Sequence, residues 1–136
     1  MQVHPYLTFN GDCEQAFNFY AEVLGGQINA MMPHEGTPMA EHVPASWRQK
    51  ILHAQMQIGD SVLMGSDAPP DRYTTPQGFS VSLMLTDDAQ AEHVFATLAQ
   101  GGQIQLPLQP TFWASRFGMT VDRFGTPWMI NCGDGA

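Results

Sequence analysis

Basic residues and cysteines are both scarce in this chain of 136 residues. Five lysines and arginines stand against thirteen aspartates and glutamates, which gives a net charge of −8 at pH 7. A surface of that sign repels phosphates and anionic lipids, so neither nucleic acid nor a membrane is an expected partner. Cys13 and Cys132 lack Cys-x-x-Cys spacing, so no zinc or redox motif is present and a reducing compartment is indicated.

Long apolar runs are also missing. Residues 1–5 contain no basic stretch followed by an apolar run, and no segment reaches the roughly 20 apolar residues that a membrane-spanning helix needs. We therefore expect a cytoplasmic protein. The chain is 43% hydrophobic, which is enough to bury a core, and its length predicts a single domain over residues 1–136.

One tetrapeptide occurs twice in the chain. The sequence GGQI begins at Gly25 and again at Gly101, 76 positions later, and Asp12 and Asp88 keep the same offset. A single offset of more than half the chain predicts two tandem copies of one supersecondary unit, because solenoids repeat many times at shorter periods. We place the two copies at residues 1–66 and 78–132.

Each copy contains one amphipathic helix that a Gly-Gly pair ends. In the first copy Asp12 is predicted to cap the helix, with Gln15 completing a capping box. In the second copy Asp87 or Asp88 is the predicted cap. Apolar residues recur at helical spacing in both copies: Ala16, Phe17, Tyr20, Val23 and Leu24 in the first, and Ala91, Val94, Phe95 and Leu98 in the second.

Alternating, β-prone runs surround each helix. After the helices, the predicted strands are Gln27 to Met32, Lys50 to Ile58, Ser61 to Ser66, Gln103 to Leu108, Phe117 to Val121 and Trp128 to Cys132. Gly59-Asp60 is predicted to form a hairpin turn. The long loop from Pro33 to Trp47 is expected to cover a site, and residues 67–77 to join the copies. The pattern predicts an α+β fold of two βαβββ units.

Side chains alternate along the predicted strands between an apolar and a mixed set. Val81, Leu83 and Leu85 are apolar, whereas Ser80, Ser82 and Met84 lie between them. In the same way His53, Gln55 and Gln57 alternate with Leu52, Ala54 and Met56. We expect the apolar set to pack under the helices and the mixed set to line a concave ligand face; the alternative is that the polar residues simply face water.

Several motifs carry a family resemblance across nearly the whole chain. They are PYLTF from Pro5, GDCEQA from Gly11, FWA from Phe112 and, most specific, DRFGTPWMIN from Asp122. With them the chain resembles the PhnB-like family, bacterial proteins of the vicinal oxygen chelate (glyoxalase, bleomycin resistance and dioxygenase) superfamily. The resemblance implies that the two units form a curved mixed-sheet half-barrel, often completed by homodimerisation, with a ligand or metal on the concave face.

The resemblance also implies where a metal would be held. In the metalloenzymes of the superfamily, four strands each offer one His, Gln or Glu, and the corresponding positions here are Pro5, Met64, Ser82 (or Ser80) and Met129. A proline ring or a thioether does not bind a hard divalent cation, so we expect no metal and no cofactor. A shifted site that uses His4 or His53 stays open, as does one in the loop, which holds His34, Glu35, Glu41 and His42.

Three functions remain open from the sequence. The first is metal-free binding of a small aromatic or amphipathic molecule, with the candidate ligand-binding residues His53, Met64, Ser82, Trp113, Phe117 and Met129. The second is a lyase, isomerase or dioxygenase with an unconventional metal site or an acid and base such as His53 and Asp122. The third is a domain whose homodimer is the functional unit.

Family members are often labelled 3-demethylubiquinone-9 3-methyltransferase-like. The chain contains no strand-to-helix Gly-x-Gly nucleotide motif and no room for a nucleotide-binding fold, so methyl transfer is not expected. No Gly-x-Ser-x-Gly motif indicates a serine hydrolase either. The identity of the small molecule does not follow from the sequence.

Overall fold

The computed structural model describes residues 1–133, which divide into two compact units with the boundary in sequence between Thr74 and Thr75. Each unit consists of a strand, a helix and three further strands. None of the helices within the described residues is long and apolar enough to cross a membrane.

The first unit is a four-stranded sheet with one helix. Its strands are β1 (Tyr6–Phe9), β2 (Gln27–Pro33), β3 (Ile51–Ile58) and β4 (Ser61–Asp67), and its helix is α1 (Cys13–Leu24). The strand order is β1-β4-β3-β2, with β1 parallel to β4 and the other neighbours antiparallel. Two short 3₁₀ turns, Pro38–His42 and Ala45–Trp47, lie between β2 and β3.

The second unit repeats this arrangement. Its strands are β5 (Val81–Leu85), β6 (Gln103–Gln109), β7 (Arg116–Val121) and β8 (Pro127–Cys132), and its helix is α2 (Asp88–Ala99). The order β5-β8-β7-β6, with β5 parallel to β8, is the order of the first sheet. The predicted α+β fold of two βαβββ units is confirmed, and the predicted strands agree within one or two residues.

Each helix buries its apolar stripe on one face of its own sheet. In the first unit, Phe9, Phe17 and Tyr20 are fully buried and their ring centroids lie 6.1 to 6.4 Å apart. In the second unit, Leu98 on α2 and Ile130 on β8 are fully buried. Burying one such side chain stabilises the fold by about 2 kcal/mol, so these stripes fix which face of each sheet the helix covers.

The repeated Gly-Gly pair has one physical explanation in both units. Gly25 and Gly101 adopt positive φ angles of 68° and 73° where the chain leaves the helix. The second glycine of each pair lies against its sheet: a Cβ on Gly26 would lie 2.6 Å from the sulfur of Met56, and a Cβ on Gly102 would overlap the carbonyl oxygen of Val121. The pair therefore combines a left-handed turn with a close helix-to-sheet approach.

The hydrogen bonds that cap the helix N-termini differ from the prediction in one unit. The side chain of Asp12 makes no capping hydrogen bond, so the predicted capping box with Gln15 is wrong. Instead Asp67, at the end of β4, accepts hydrogen bonds from the backbone N–H of Gly11, Cys13 and Ile51 at 2.8 to 3.0 Å. In the second unit Asp87 caps α2 by accepting from the N–H of Ala89, as predicted.

Candidate functional site

The sheet of the first unit leaves one face uncovered by its helix. On β1, Leu7 and Phe9 are buried, whereas the alternate residues Tyr6 and Thr8 are exposed. Strand pairing places Met64 beside Tyr6, and Gln55 beside Met64 on the other side. We call the side chains on this side of the sheet the first open face: Tyr6, Thr8, His53, Gln55, Gln57, Val62, Met64 and Ser66.

The first open face contains a hydrogen-bonded pair of ionisable rings. The hydroxyl of Tyr6 lies 3.2 Å from Nδ1 of His53, and the two rings stack with centroids 5.8 Å apart at 27°. A hydroxyl bonded to an imidazole nitrogen can donate its proton to that nitrogen, which makes the pair a candidate acid or base. His53 was among the predicted ligand-binding residues, whereas Tyr6 was not.

The sheet of the second unit has a corresponding uncovered face. A Cβ on Gly118 would lie 2.9 Å from the ring of Phe95 on α2, so its neighbour Phe117 points to the opposite side. Phe117 pairs with Asn131, and Ser82 pairs with Met129. We call this surface the second open face; its strand residues are Ser82, Met84, Phe117, Met119, Met129 and Asn131.

An aromatic side chain from the loop before β7 adjoins the second open face. The ring of Trp113 meets that of Phe117 edge to face, with centroids 5.2 Å apart. The hydroxyl of Thr111 accepts hydrogen bonds from the N–H groups of Trp113 and Ala114, which holds the loop in place. Trp113 is 43% exposed, whereas Phe117 is only 9% exposed. The Trp113 ring is thus partly exposed to solvent next to the buried Phe117 ring.

The predicted ligand-binding residues fall into two groups, one in each unit. His53 and Met64 lie on the first open face. Ser82, Phe117 and Met129 lie on the second, with Trp113 against Phe117. Their role in binding stays a prediction. In the sequence, Asn131 alternates with the apolar residues of β8, but this alternation alone did not identify it as a site residue.

The side chains at the superfamily's metal positions do not fit a divalent cation. The register puts Tyr6, rather than Pro5, beside Met64, which shifts the sequence overlay by one residue. In the second unit, the paired residues Ser82 and Met129 offer a neutral hydroxyl and a thioether. Residues 1–133 hold no group of three or more His, Cys, Asp and Glu side chains able to bind a metal. Metal-independent function stays a prediction.

The long loop of the first unit packs on its own unit. His34 is buried, and its Nδ1 donates to the carbonyl oxygen of Lys50 at 2.8 Å. The ammonium group of Lys50 in turn donates to the carbonyl oxygen of Gly11 and lies 5.9 Å from the ring of Trp47. These bonds give His34 a structural role and leave it unsuited to a shifted metal site.

The candidate base Asp122 is occupied by structural hydrogen bonds. It is buried, and its carboxylate accepts from the N–H groups of Phe124 and Thr126 and from Nε1 of Trp128, at 2.8 to 3.1 Å. A carboxylate with three such donors stabilises a turn and is poorly placed to accept a substrate proton. These hydrogen bonds argue against Asp122 as the acid–base partner of His53. The observed hydrogen-bond partner of His53 is Tyr6.

A polar cleft of about 230 Å³ lies at the start of α1. Its lining includes the carboxylates of Asp12, Glu14 and Asp67 and the ammonium of Lys50. Both oxygens of Asp67 accept backbone hydrogen bonds, and Lys50 donates to a backbone carbonyl. Asp67 and Lys50 thus have structural partners, and the cleft lacks the apolar walls that ligand pockets usually have.

Neither cysteine is an activated nucleophile. Burial is the main cause that raises the pKa of Cys13, and the nearby Asp67 carboxylate raises it further. Burial also raises the pKa of Cys132. Because the thiolate is the reactive form, both residues stay protonated thiols at neutral pH. They serve as small, fully buried core residues.

Comparison with known proteins places this fold in a class. The family model of the Glyoxalase/Bleomycin resistance protein/Dioxygenase superfamily matches residues 2–130, and the chain belongs to that superfamily. It is 35% identical over 139 residues to protein YjdN of Escherichia coli strain K12, covering 96% of this chain and 95% of YjdN.

Two solved structures are similar over almost their whole length. Protein PA1353 from Pseudomonas aeruginosa is 47% identical, with a TM-score of 0.89 and 98% of each chain covered. The PhnB protein from Bacillus cereus is 21% identical, with a TM-score of 0.82, covering 98% of this chain and 100% of that one, and it shares the fold. The resemblance to the PhnB-like family is thereby confirmed.

Proposed function

We propose that the chain binds a small, flat, amphipathic molecule without a divalent metal, and that the second open face makes the main contact. The observation that carries this proposal is the Trp113 ring, held 43% exposed against Phe117 beside the methionine-rich strands. Flat rings supply large contact area at low entropic cost, and methionines adapt to the shape of a ligand. Ser82 and Asn131 add polar groups to this mainly apolar surface.

The first open face has a different chemical character. Its Tyr6–His53 pair can donate and accept hydrogen bonds, and Met64 adds a thioether beside Tyr6. We assign to this face, taken by itself, the recognition of polar groups through His53, with Met64 in apolar contact. Sites of this kind combine an apolar lining with a few well-placed polar groups.

The test is a titration of the full chain with 1-naphthol, a flat probe with one hydroxyl, followed by ¹H–¹⁵N NMR. We expect saturable shifts at residues of β5, β7 and β8. Replacing Trp113 with Ala should weaken binding about 5- to 30-fold, because it removes an aromatic contact. Phe79→Ala is the matched control, since Phe79 is a half-exposed aromatic outside the second open face. Equal affinity of wild type and Trp113→Ala would contradict the proposal.

A second candidate is an enzyme that moves a proton, and the Tyr6–His53 hydrogen bond favours it. Tyr6 would take a proton from the ligand while passing its own to Nδ1 of His53, so the pair would act as one general base. Deuterium exchange into dihydroxyacetone in D₂O, followed by ¹H NMR, tests this. We expect His53→Gln and Tyr6→Phe to abolish exchange above buffer, with Gln57→Ala as control; no exchange by wild type would reject proton abstraction from this probe.

We further propose that the chain works as a cytoplasmic homodimer. The resemblance to superfamily members that dimerise supports the assembly, and the two free, buried cysteines fit a reducing compartment. Light scattering on the purified chain at micromolar concentration tests the assembly, and a mass of about 15 kDa, that of one chain, would contradict it.

A further inference from the structure

One polar atom on the second open face is buried without a partner. The Oδ1 atom of Asn131 is shielded from solvent, and no donor in residues 1–133 forms a hydrogen bond with it. Asn131 lies on β8, which has β5 on one side and β7 on the other. Buried amide oxygens in folded proteins are nearly always hydrogen-bonded, so this one requires an explanation.

The residues around Asn131 cannot supply the missing donor. Strand pairing places Met84 on one side and Phe117 on the other, and Met129 precedes it by two residues on the same face. Thioethers and phenyl rings carry no hydrogen-bond donor. The nearest hydroxyl on β5, that of Ser82, donates to the sulfur of Met84 at 3.7 Å. The strand neighbours of Asn131 therefore offer its amide oxygen no free donor.

This arrangement lowers stability in the free protein. An unpartnered buried acceptor loses its hydrogen bonds to water and gains none in the protein. A leucine at the same position would pack against Met84 and Phe117 without this cost. A donor from a bound molecule would remove the penalty. Met84 is 57% exposed and flexible, so its side chain can move aside and open a path to Oδ1.

We propose that Asn131 is the polar anchor of the second open face, and that its Oδ1 accepts a hydrogen bond from an N–H or O–H group carried by an aromatic ring. The inference rests on the proposed function and narrows its ligand class to aromatic molecules with a donor on or next to the ring. Phe117 and Met129 contact the ring while Asn131 fixes its orientation, which makes Asn131 a specificity-determining residue.

A matched pair of probes isolates this hydrogen bond. 1-Naphthol and 1-methoxynaphthalene share the same ring, but only the first has a donor. Wild type should bind 1-naphthol about 3- to 10-fold more tightly, the ratio expected for one net hydrogen bond. Asn131→Leu should bind the two probes equally. Asn18→Leu, the same change at an exposed position on α1, is the control and should keep the preference of wild type.

Thermal unfolding of the free protein gives a second measurement that needs no ligand. Asn131→Leu should raise the Tm by a few degrees, about 3 °C or more, because it removes the unpartnered acceptor. A lower Tm for Asn131→Leu would show that the amide already has a stabilising partner and would overturn the inference.

The binding outcomes separate this inference from the proposed function. If wild type binds both probes with equal affinity, or binds 1-methoxynaphthalene more tightly, the anchor role is wrong while binding on this face stands. If neither probe binds, both the proposed function and the anchor role fail for naphthalene-sized ligands. If the preference persists in Asn131→Leu, another residue carries it and the inference is overturned.

Discussion

The hydroxyl of Tyr6 reaches across a whole strand to Nδ1 of His53, 3.2 Å away. Tyr6 lies on β1 and His53 on β3, and β4 lies between these two strands. The bond therefore crosses above β4 on the first open face and connects residues that are 47 positions apart in sequence. Both ring groups stay partly exposed, so they remain available to a bound molecule.

The Tyr6–His53 bond predicts a tautomer of His53. When the phenol donates to Nδ1, the neutral imidazole carries its proton on Nε2, because Nδ1 must be the acceptor. ¹⁵N NMR of the ring at pH 8 should show the Nε2–H form in wild type and a mixture in Tyr6→Phe. An Nδ1–H signal in wild type would contradict the assigned direction of the bond.

Gly102 is predicted to be intolerant of any side chain. A Cβ there would overlap the Val121 carbonyl oxygen and lie 2.9 Å from the backbone of Asp122, and backbone cannot move aside as a flexible side chain can. Gly102→Ala should lower the free energy of unfolding by more than about 3 kcal/mol, or prevent folding.

The control for Gly102 is another glycine. Gly36 has a φ of 84° but nothing within 4 Å of its Cβ position, so Gly36→Ala should cost only about 1 kcal/mol from backbone strain. Urea unfolding of both variants, together with their soluble yield, makes the comparison. Similar losses for the two would mean that the close approach at Gly102 is readily relieved.

Asp88 is predicted to make stability depend on pH in the acid range. Its carboxylate accepts a hydrogen bond from the Ser115 hydroxyl at 2.5 Å, which is the main cause that lowers its pKa below the ordinary value of 3.8; the Cys132 thiol and Arg116 lower it further. Because the folded-state pKa is depressed, the stabilisation is complete above the ordinary value and is lost as the pH falls through the folded-state value.

The measurement for Asp88 is Tm as a function of pH. We expect the Tm of wild type to fall as the pH drops below about 4, and the curve of Asp88→Asn to start lower at pH 7 and to be flatter in this acid range. Asp71→Asn, at an exposed loop position, is the control and should follow wild type. Parallel curves for wild type and Asp88→Asn would rule out this contribution.

Local sequence signals predicted most of the fold because the interactions behind them are short-range. The GGQI repeat at Gly25 and Gly101 marked the helix ends, since a positive φ and a close approach both demand glycine. The alternation of side chains placed His53 and Ser82 on uncovered faces, because successive residues of a strand point to opposite sides of the sheet. The α1 helix begins after Asp12 as predicted, but its capping box was predicted wrongly because the N–H of Cys13 bonds to Asp67, 54 residues further along the chain.

The candidate site could be predicted only in part. Alternation selects a face, but strand register decides which side chains meet on it, and register depends on packing of the whole unit. Tyr6 was missed because its partner His53 lies two strands away, and Pro5 was placed beside Met64 by an overlay one residue out of register. The isolation of Asn131 Oδ1 likewise depends on the identities of Met84 and Phe117 beside it.

The last prediction compares the contributions to stability of two contacting rings at the second open face. Trp113 is 43% exposed on a loop, whereas Phe117 is 9% exposed on β7, although their centroids are only 5.2 Å apart. Phe117→Ala should therefore lower the free energy of unfolding by about 3 kcal/mol, because it leaves a cavity in the sheet packing. Trp113→Ala should cost clearly less than Phe117→Ala, since 43% of Trp113 is already exposed to solvent. Chemical unfolding monitored by circular dichroism measures both. If Trp113→Ala destabilises the chain as much as Phe117→Ala does, then Trp113 is a core residue and its assignment to the ligand-binding surface is wrong.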